Sequence, residues 1–246
     1  MSGHSKWSTI KYKKGAKDLQ RGKVFAKLAR LVEIAARDGG GDPEMNASLY
    51  LAVQKAKAAS MPNDNIERAI KRGIGDVETT HYDEIWYEGY AAGGVALYVQ
   101  VLTDNRNRAA SEVRSTFTRN NGNLGEPGSV AYLFEQKGYL LVSGAEDEVL
   151  LPALDAGAED VRASGTQFEV ICAPADLSRV QAALEAAGVA IESAEVTHLP
   201  MTTVALKEDT ARSVLRLVDA LEDLDDVQAV YGNFDIPDEV LAAVAG

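Results

Sequence analysis

Apolar residues recur every three to four positions over Asp18 to Asp38. Val24, Leu28, Leu31, Val32 and Ala35 fall on one stripe of a helix. Gly39-Gly40-Gly41 predicts its end, because glycine enters the left-handed cap without a steric cost. Asp42-Pro43 or Asn46 then caps a second helix running to Ser60, with Leu49, Ala52, Val53 and Ala56 inward. Pro62-Asn63 opens a third, Asp64 to Arg72, closed by Gly73. Three short helices predict a small bundle. The residues before Asp18 carry no apolar stripe and predict an arm. Residues 74–80 predict a linker.

Beyond the linker the pattern changes. Ile85 to Tyr90 and Val95 to Thr103 are rich in β-formers, and Asn107 to Arg119 reads as a helix with Ala110, Val113 and Phe117 inward. A strand is predicted over Ser129 to Glu135. Gly138 to Ser143, Glu146 to Asp155, Glu159 to Ala163, Gln167 to Cys172, Asp176 to Ala187 and Val189 to Val196 spell β-α-β-β-α-β, the order of a ferredoxin-like unit. The runs flanking that unit give the same order again: 95–103, 107–119 and 129–135 before it, then 202–207, 210–224 and 227–234 after it. The predicted class is α+β: an N-terminal three-helix domain, then two ferredoxin-like α/β domains, one inserted in the other. The predicted boundaries are 1–75 for the arm and bundle, 81–136 with 201–246 for the discontinuous domain, and 137–200 for the inserted one.

Charge adds what periodicity does not. Within Met1 to Arg30 nine cations face one acid, Asp18, for a net +8. The whole chain of 246 residues stands at −12, so the remaining 216 carry −20. A dense cationic segment on an acidic chain is an address for a polyanion, and it acts locally because charges are screened beyond about 8 Å at cell ionic strength. The hydrophobic fraction of 46% allows an ordinary core. No apolar run approaches the roughly 18 residues that span a bilayer, so no membrane partner is expected. The N-terminus has no apolar segment of the secretory kind. A single cysteine, Cys172, cannot form an internal disulfide and fits a reducing compartment, so the cytoplasm is the expected location.

The arm carries the strongest candidate chemistry. Lys6, Lys11, Lys13, Lys14 and Lys17 are interleaved with Trp7 and Tyr12. Lysines neutralise phosphates, and rings stack on bases or sugars. Arg21, Lys23 and Lys27 extend the run along one face of the first helix. The bland alternative is a solvated tail. A second candidate is Asp104-Asn105-Arg106-Asn107-Arg108, at a strand-to-helix turn. Asn105 or Asn107 can cap the helix, and Arg106 and Arg108 are fork-shaped donors suited to phosphate or carboxylate. The alternative is a polar turn whose arginines pair with local acids.

Other signals are weaker. Gly122 to Gly128 lacks the pattern of a phosphate cradle and reads as a loop. His4, His81 and His198 have no metal spacing, and His81 with Glu84 is a bare HxxE. Cys172, in the apolar run FEVIC, reads as core. Asp225-Asp226 reads as a solvated face. No catalytic residue, metal site or cofactor is expected.

The arm MSGHSKWSTIKYKKGAKDLQRGKVFAKL resembles the start of the YebC family of bacterial regulators, which includes the mitochondrial translational activator of cytochrome c oxidase subunit one. GGGDPEMNASLYLAVQKAKAASMPNDNIERAIKRG, YEGYAAGGVALYVQVLTDNRNRAASEVR, GSVAYLFEQKG and LVDALEDLDDVQAVYGNFDIP extend the resemblance in order over nearly the full length. The resemblance implies a helical N-terminal domain and two α/β domains, one interrupting the other. Residue by residue it reaches Lys6, Trp7, Lys11, Lys13, Lys14, Lys17 and the DNRNR turn. The chain begins directly at the family motif, which favours a bacterial member.

The function implied is regulation of gene expression without catalysis. DNA-binding transcriptional regulation is the family's usual description. The alternative is a ribosome-associated, RNA-binding translation factor that relieves stalling, for example at proline runs. Against DNA, no obvious helix-turn-helix offers base-reading side chains, although the third helix presents Asn63, Asn65, Arg68, Lys71 and Arg72. For RNA, a body at −20 would be repelled by long duplex DNA yet could face basic ribosomal proteins. The partners expected are DNA or ribosomal RNA, and in the second case the ribosome.

Overall fold

The computed structural model describes residues 18–75, 81–237 and 240. Helix α1 (Asp18–Gly39) is followed by α2 (Ala47–Ala58) and α3 (Asn63–Gly73). Their shared core is Leu28, Val32 and Ala36 from α1, Leu49, Val53 and Ala56 from α2, Ile66 and Ala69 from α3, and Met61 between them. Gly40, at φ +90°, makes the turn that ends α1. Asn46 is the cap of α2: its Oδ1 accepts from Leu49 N at 3.1 Å, and its Nδ2 donates to Ala35 O and Gly40 O. Glu33, buried on α1, receives Arg37 at 3.2 Å and Arg72 of α3 at 2.9 Å. Gly73 lets α3 press onto α1, because a Cβ there would collide with the Glu33 carbonyl.

The outer sheet has the order β3-β1-β2-β9, from β1 (Asp83–Tyr90), β2 (Ala96–Thr103), β3 (Asn123–Leu124) and β9 (Val227–Gly232), all antiparallel. Helices α4 (Arg106–Arg119) and α7 (Glu208–Glu222) cover one face. Leu97, Val99, Val101, Val230, Phe117, Val214 and Leu217 form that core. The inserted sheet has the order β5-β6-β4-β7, from β4 (Phe134–Ser143), β5 (Ala158–Ser164), β6 (Gln167–Cys172) and β7 (Ala190–Pro200). Helices α5 (Glu146–Asp155) and α6 (Leu177–Ala186) pack on it around Leu140, Val149, Val170, Cys172 and Val180. Second-third-first-fourth is the ferredoxin-like strand order, and here it follows the chain as the sequence predicts. Cys172 is fully buried, and burial pushes its thiol up to about 11.

The outer sheet reaches the same spatial order by another route. Residues 129–135 do not form its strand: Ala131–Leu133 is a 3-10 turn, and Phe134 already opens β4 of the other sheet. The slot between β3 and β2 is filled by β1, from earlier in the chain. The run 202–207 shortens to β8 (Val204–Ala205), paired in parallel with β10 (Phe234–Asp235). A hairpin explains the substitution. β1 and β2 are joined by the five residues 91–95, with left-handed Gly93 and Gly94, so their pairing closes a far shorter loop than a strand at 202–207 would.

The face of the outer sheet opposite its helices is aromatic. Trp86 stacks on Tyr98 at 4.3 Å between ring centroids, and Tyr231 continues the row. His198 of β7 sits 4.9 Å from both Trp86 and Tyr231. The end of the inserted sheet thus seats on this face. Helix α2 touches the inserted unit too, through Leu51 and a 2.9 Å pair between Lys55 and Glu195. Among the described residues no helix is long and apolar enough to cross a membrane.

Candidate nucleic-acid interface

Lys6, Trp7, Lys11, Tyr12, Lys13, Lys14 and Lys17 lie outside the described residues, and Arg21 sits on α1 with its side chain outside them. The structure does place the next cations of the same run. Lys23, Lys27 and Arg30 recur at helical spacing, and all three face the body. Lys23 Nζ donates to Asp223 O at 3.1 Å and lies 3.6 Å from the Asp225 carboxylate. Lys27 Nζ donates to Glu222 O at 2.5 Å. Arg30 Nη1 donates to Leu102 O, Asp225 O and Asp226 Oδ1 at 3.1, 2.9 and 3.2 Å. Its guanidinium lies 5.1 Å from the Tyr82 ring centroid.

These partners have one physical origin. Helix α7 ends at Glu222, where the last carbonyls lack helical donors and the helix dipole is negative. Cations from α1 supply the donors. Burial lowers the Lys27 pKa, against the opposing pull of Glu222, Asp225 and Asp223.

The DNRNR turn joins this junction. Asn105 caps α4, its Oδ1 accepting from Arg108 N at 3.0 Å. Arg106 grips Asp83 with both prongs at 2.8 Å. Arg108 Nη2 reaches Asp104 and Asp226, each at 2.7 Å. The Asp83 and Asp104 carboxyls are held below their usual range by hydrogen bonds from Arg106 and Arg108. The arginine forks therefore already hold local carboxylates, the alternative that the sequence left open.

Asp226 is the residue that sequence reasoning misplaced. Asp225 is exposed, but Asp226 is buried at 4% exposure. Its carboxylate receives Arg30, Arg108 and the Thr103 hydroxyl, the last at 2.8 Å. Burial of a carboxylate demands such partners, yet nothing in the run EDLDD distinguishes one aspartate from its neighbour.

A second missed carboxylate is Glu88 on β1. Buried, it accepts from Gly128 N, Val130 N and Ala131 N at 2.7, 2.6 and 2.8 Å. Burial pushes its pKa up, but the three amides together outweigh it and leave the group below its ordinary value. Glu88 thereby fixes the glycine-rich loop, which makes a turn from Glu126 O to Ser129 N.

The opposite side of α1 is open. Phe25, Ala26, Ala29 and Met61 floor a groove of about 190 Å³ between α1 and α3, with Asn65, Arg68 and Arg72 on its rim. Lys57, Arg68 and Lys71 are exposed. Arg68 and Lys71 of α3 thus face solvent while Lys23, Lys27 and Arg30 of α1 hold the body.

Comparison with known proteins agrees with this architecture. Residues 5–76 match the family model described as the TACO1/YebC protein N-terminal domain, and residues 82–234 match the TACO1/YebC second and third domain. A protein of Rubrobacter xylanophilus named a probable transcriptional regulatory protein is 59% identical, with all of both chains covered. One of the same name from Acidothermus cellulolyticus is 58% identical, covering 99% of this chain and all of its own. The crystal structure of a conserved hypothetical protein from Aquifex aeolicus superposes with a TM-score of 0.81 at 50% identity, covering 91% of this chain and 94% of that one. With both family models matched in order and identity above half along the whole length, the chain belongs to the TACO1/YebC family.

Proposed function

We propose that this chain is a non-enzymatic, nucleic-acid-binding regulator of gene expression. The observation that carries the reading is the separation of charge: +8 within the first 30 residues against −20 elsewhere. The contacts proposed are Lys6, Lys11, Lys13, Lys14 and Lys17, with Trp7 and Tyr12 as stacking rings. Lys23 and Lys27 serve behind them as clamps that orient the segment, since their ammonium groups already meet the end of α7. Arg106 and Arg108 are secondary contacts at most, because phosphate would have to displace Asp83 and Asp104. The name of the relatives, probable transcriptional regulatory protein, supports control of transcription, for which the arm would bind DNA.

A ribosome-associated role in translation is the second reading. The body at −20 favours it, because long duplex DNA would repel such a surface beyond the arm. Cross-linking in living cells, recovery of the protein without nuclease, and sequencing of the associated RNA and DNA separates the two. Discrete promoter peaks that survive ribonuclease support transcription. Ribosomal RNA enriched at one place, without promoter peaks, supports translation. Enrichment of neither class overturns the proposal.

A further inference from the structure

We infer that the groove between α1 and α3 is a seat for one unpaired nucleobase of a single-stranded nucleic acid, with Arg68 on its phosphate. The inference rests on the reading that the chain binds nucleic acid, and it assigns a site outside the arm and outside the DNRNR turn.

Helix geometry sets the groove apart from the body. At 100° per residue, Lys23, Lys27 and Arg30 lie on one side of α1, where they hold the end of α7. Phe25 and Ala29 lie on the opposite side, against α3. The groove therefore opens away from the acidic body. Phe25 is seven residues into α1, so the groove begins about 10 Å along the helix from Asp18, where the basic arm joins.

The lining matches a nucleotide better than a bare phosphate. Its floor is apolar, with the half-buried Phe25 ring, the methyl of Ala26 and the thioether of Met61. Aromatic and apolar surfaces accept the face of any base, whereas phosphate gains nothing there. A volume of about 190 Å³, several times the roughly 30 Å³ of one water, is room for a planar ring. The rim supplies the other half of a nucleotide's chemistry. Asn65 offers an amide that can both donate and accept at a base edge. Arg72 is held by Glu33 at 2.9 Å, which fixes the rim. Arg68 is exposed and has no ion pair among the described residues, so its fork is available to a phosphate oxygen. A duplex keeps its bases stacked and cannot fill the floor, so the seat selects single strands.

The test uses the full chain and three probes over one shared series of salt concentrations: a mixed-sequence single-stranded RNA, the same strand with abasic sugars throughout, and the duplex. Anisotropy titrations should give the base-bearing strand more than tenfold tighter binding than the abasic strand, about tenfold being the worth of the one seated base and the rest the stacking of Trp7 and Tyr12. Ala26→Leu fills the floor from an exposed helical position with another good helix former, so the thermal midpoint should hold. It should remove about tenfold of the preference for the base-bearing strand, leaving the part that Trp7 and Tyr12 contribute by stacking. Arg68→Ala should weaken both single strands and lower the log-log salt slope by about one. Equal binding of base-bearing and abasic strands by the unmodified chain overturns the inference, as does an Ala26→Leu variant that keeps the whole difference. The second result leaves the arm's role standing, and the first leaves its phosphate contacts while removing the stacking of Trp7 and Tyr12. Failure of all three probes to bind at low salt overturns the nucleic-acid reading, and this inference with it.

Discussion

Arg30 of α1 and Asp226, four residues beyond the end of α7, meet at 3.2 Å and join the helical domain to the outer sheet. Asp226 gathers Arg30, Arg108 and Thr103 in a buried setting. Removing the acid takes from Arg30 its one carboxylate partner among the described residues, leaving it backbone carbonyls, while Arg108 keeps Asp104. Asp226→Ala should therefore cost about 3 kcal/mol, since breaking a buried pair leaves its partner charge uncompensated. Asp225→Ala, at an exposed site, should cost under about 1 kcal/mol. Urea midpoints with an unchanged m-value read both. Equal costs would mean that Asp226 is not the tie.

The clamp and the arm should separate in a binding experiment. Lys11→Ala, Lys13→Ala and Lys14→Ala together should cut nucleic-acid affinity sharply and lower the log-log salt slope by about 2 to 3. Lys23→Ala with Lys27→Ala should leave that slope within about one unit while loosening α1 from α7, because those ammonium groups are already spent on Glu222 O and Asp223 O. Hydrogen exchange of α1 measures the second effect. A slope change as large for the pair as for the triple would return Lys23 and Lys27 to the binding surface.

Glu88 gives a pH prediction with a definite sign. Its folded pKa lies below the ordinary 4.5. The stability it contributes is complete above that ordinary value and is lost as pH falls through the lower folded one. Amide protection at Gly128, Val130 and Ala131 should decline together in that acid window, and Glu88→Gln should cost about 2 kcal/mol at neutral pH. Protection that stays flat down to the folded pKa and below would show that the loop is held by its own turn instead.

How much of this was legible follows from the range of each interaction. The stripe Leu28, Val32 and the glycine stop at Gly40 are local signals, and they gave α1 within a residue. The inserted sheet follows chain order, so its alternation could be read off directly. The outer sheet could not be: which strand lies beside β2 is a long-range choice, and a hairpin to β1 competes with 202–207. Asp226 and Glu88 are hidden for a similar reason. Their burial depends on Arg30, 196 positions away, and on amides about 40 positions away, none of which marks the local sequence. For the groove, Phe25 and Ala29 were visible as apolar residues, but only the crossing of α1 over α3 leaves them open beside Arg68.

His198 makes the seam between the two sheets sensitive to pH. Its ring packs among Trp86, Tyr98 and Tyr231, and its buried Nδ1 has no hydrogen-bond partner among the described residues. Burial lowers its pKa from 6.5, with Glu84 opposing. Above pH 6.5 the imidazole is neutral in both folded and unfolded chains and carries no penalty. As pH falls below 6.5 the unfolded chain takes up the proton first, so stability declines until the lower folded pKa is passed. Trp86 can report this. The chain has two tryptophans, so a Trp7→Phe variant leaves Trp86 as the sole emitter, edge-on to the titrating ring at 4.9 Å between centroids. Its emission should change with a midpoint below 6.5, and His198→Phe should abolish the step while keeping the aromatic packing. A midpoint at or above 6.5 would mean that the seam opens to water, or that Glu84 outweighs burial.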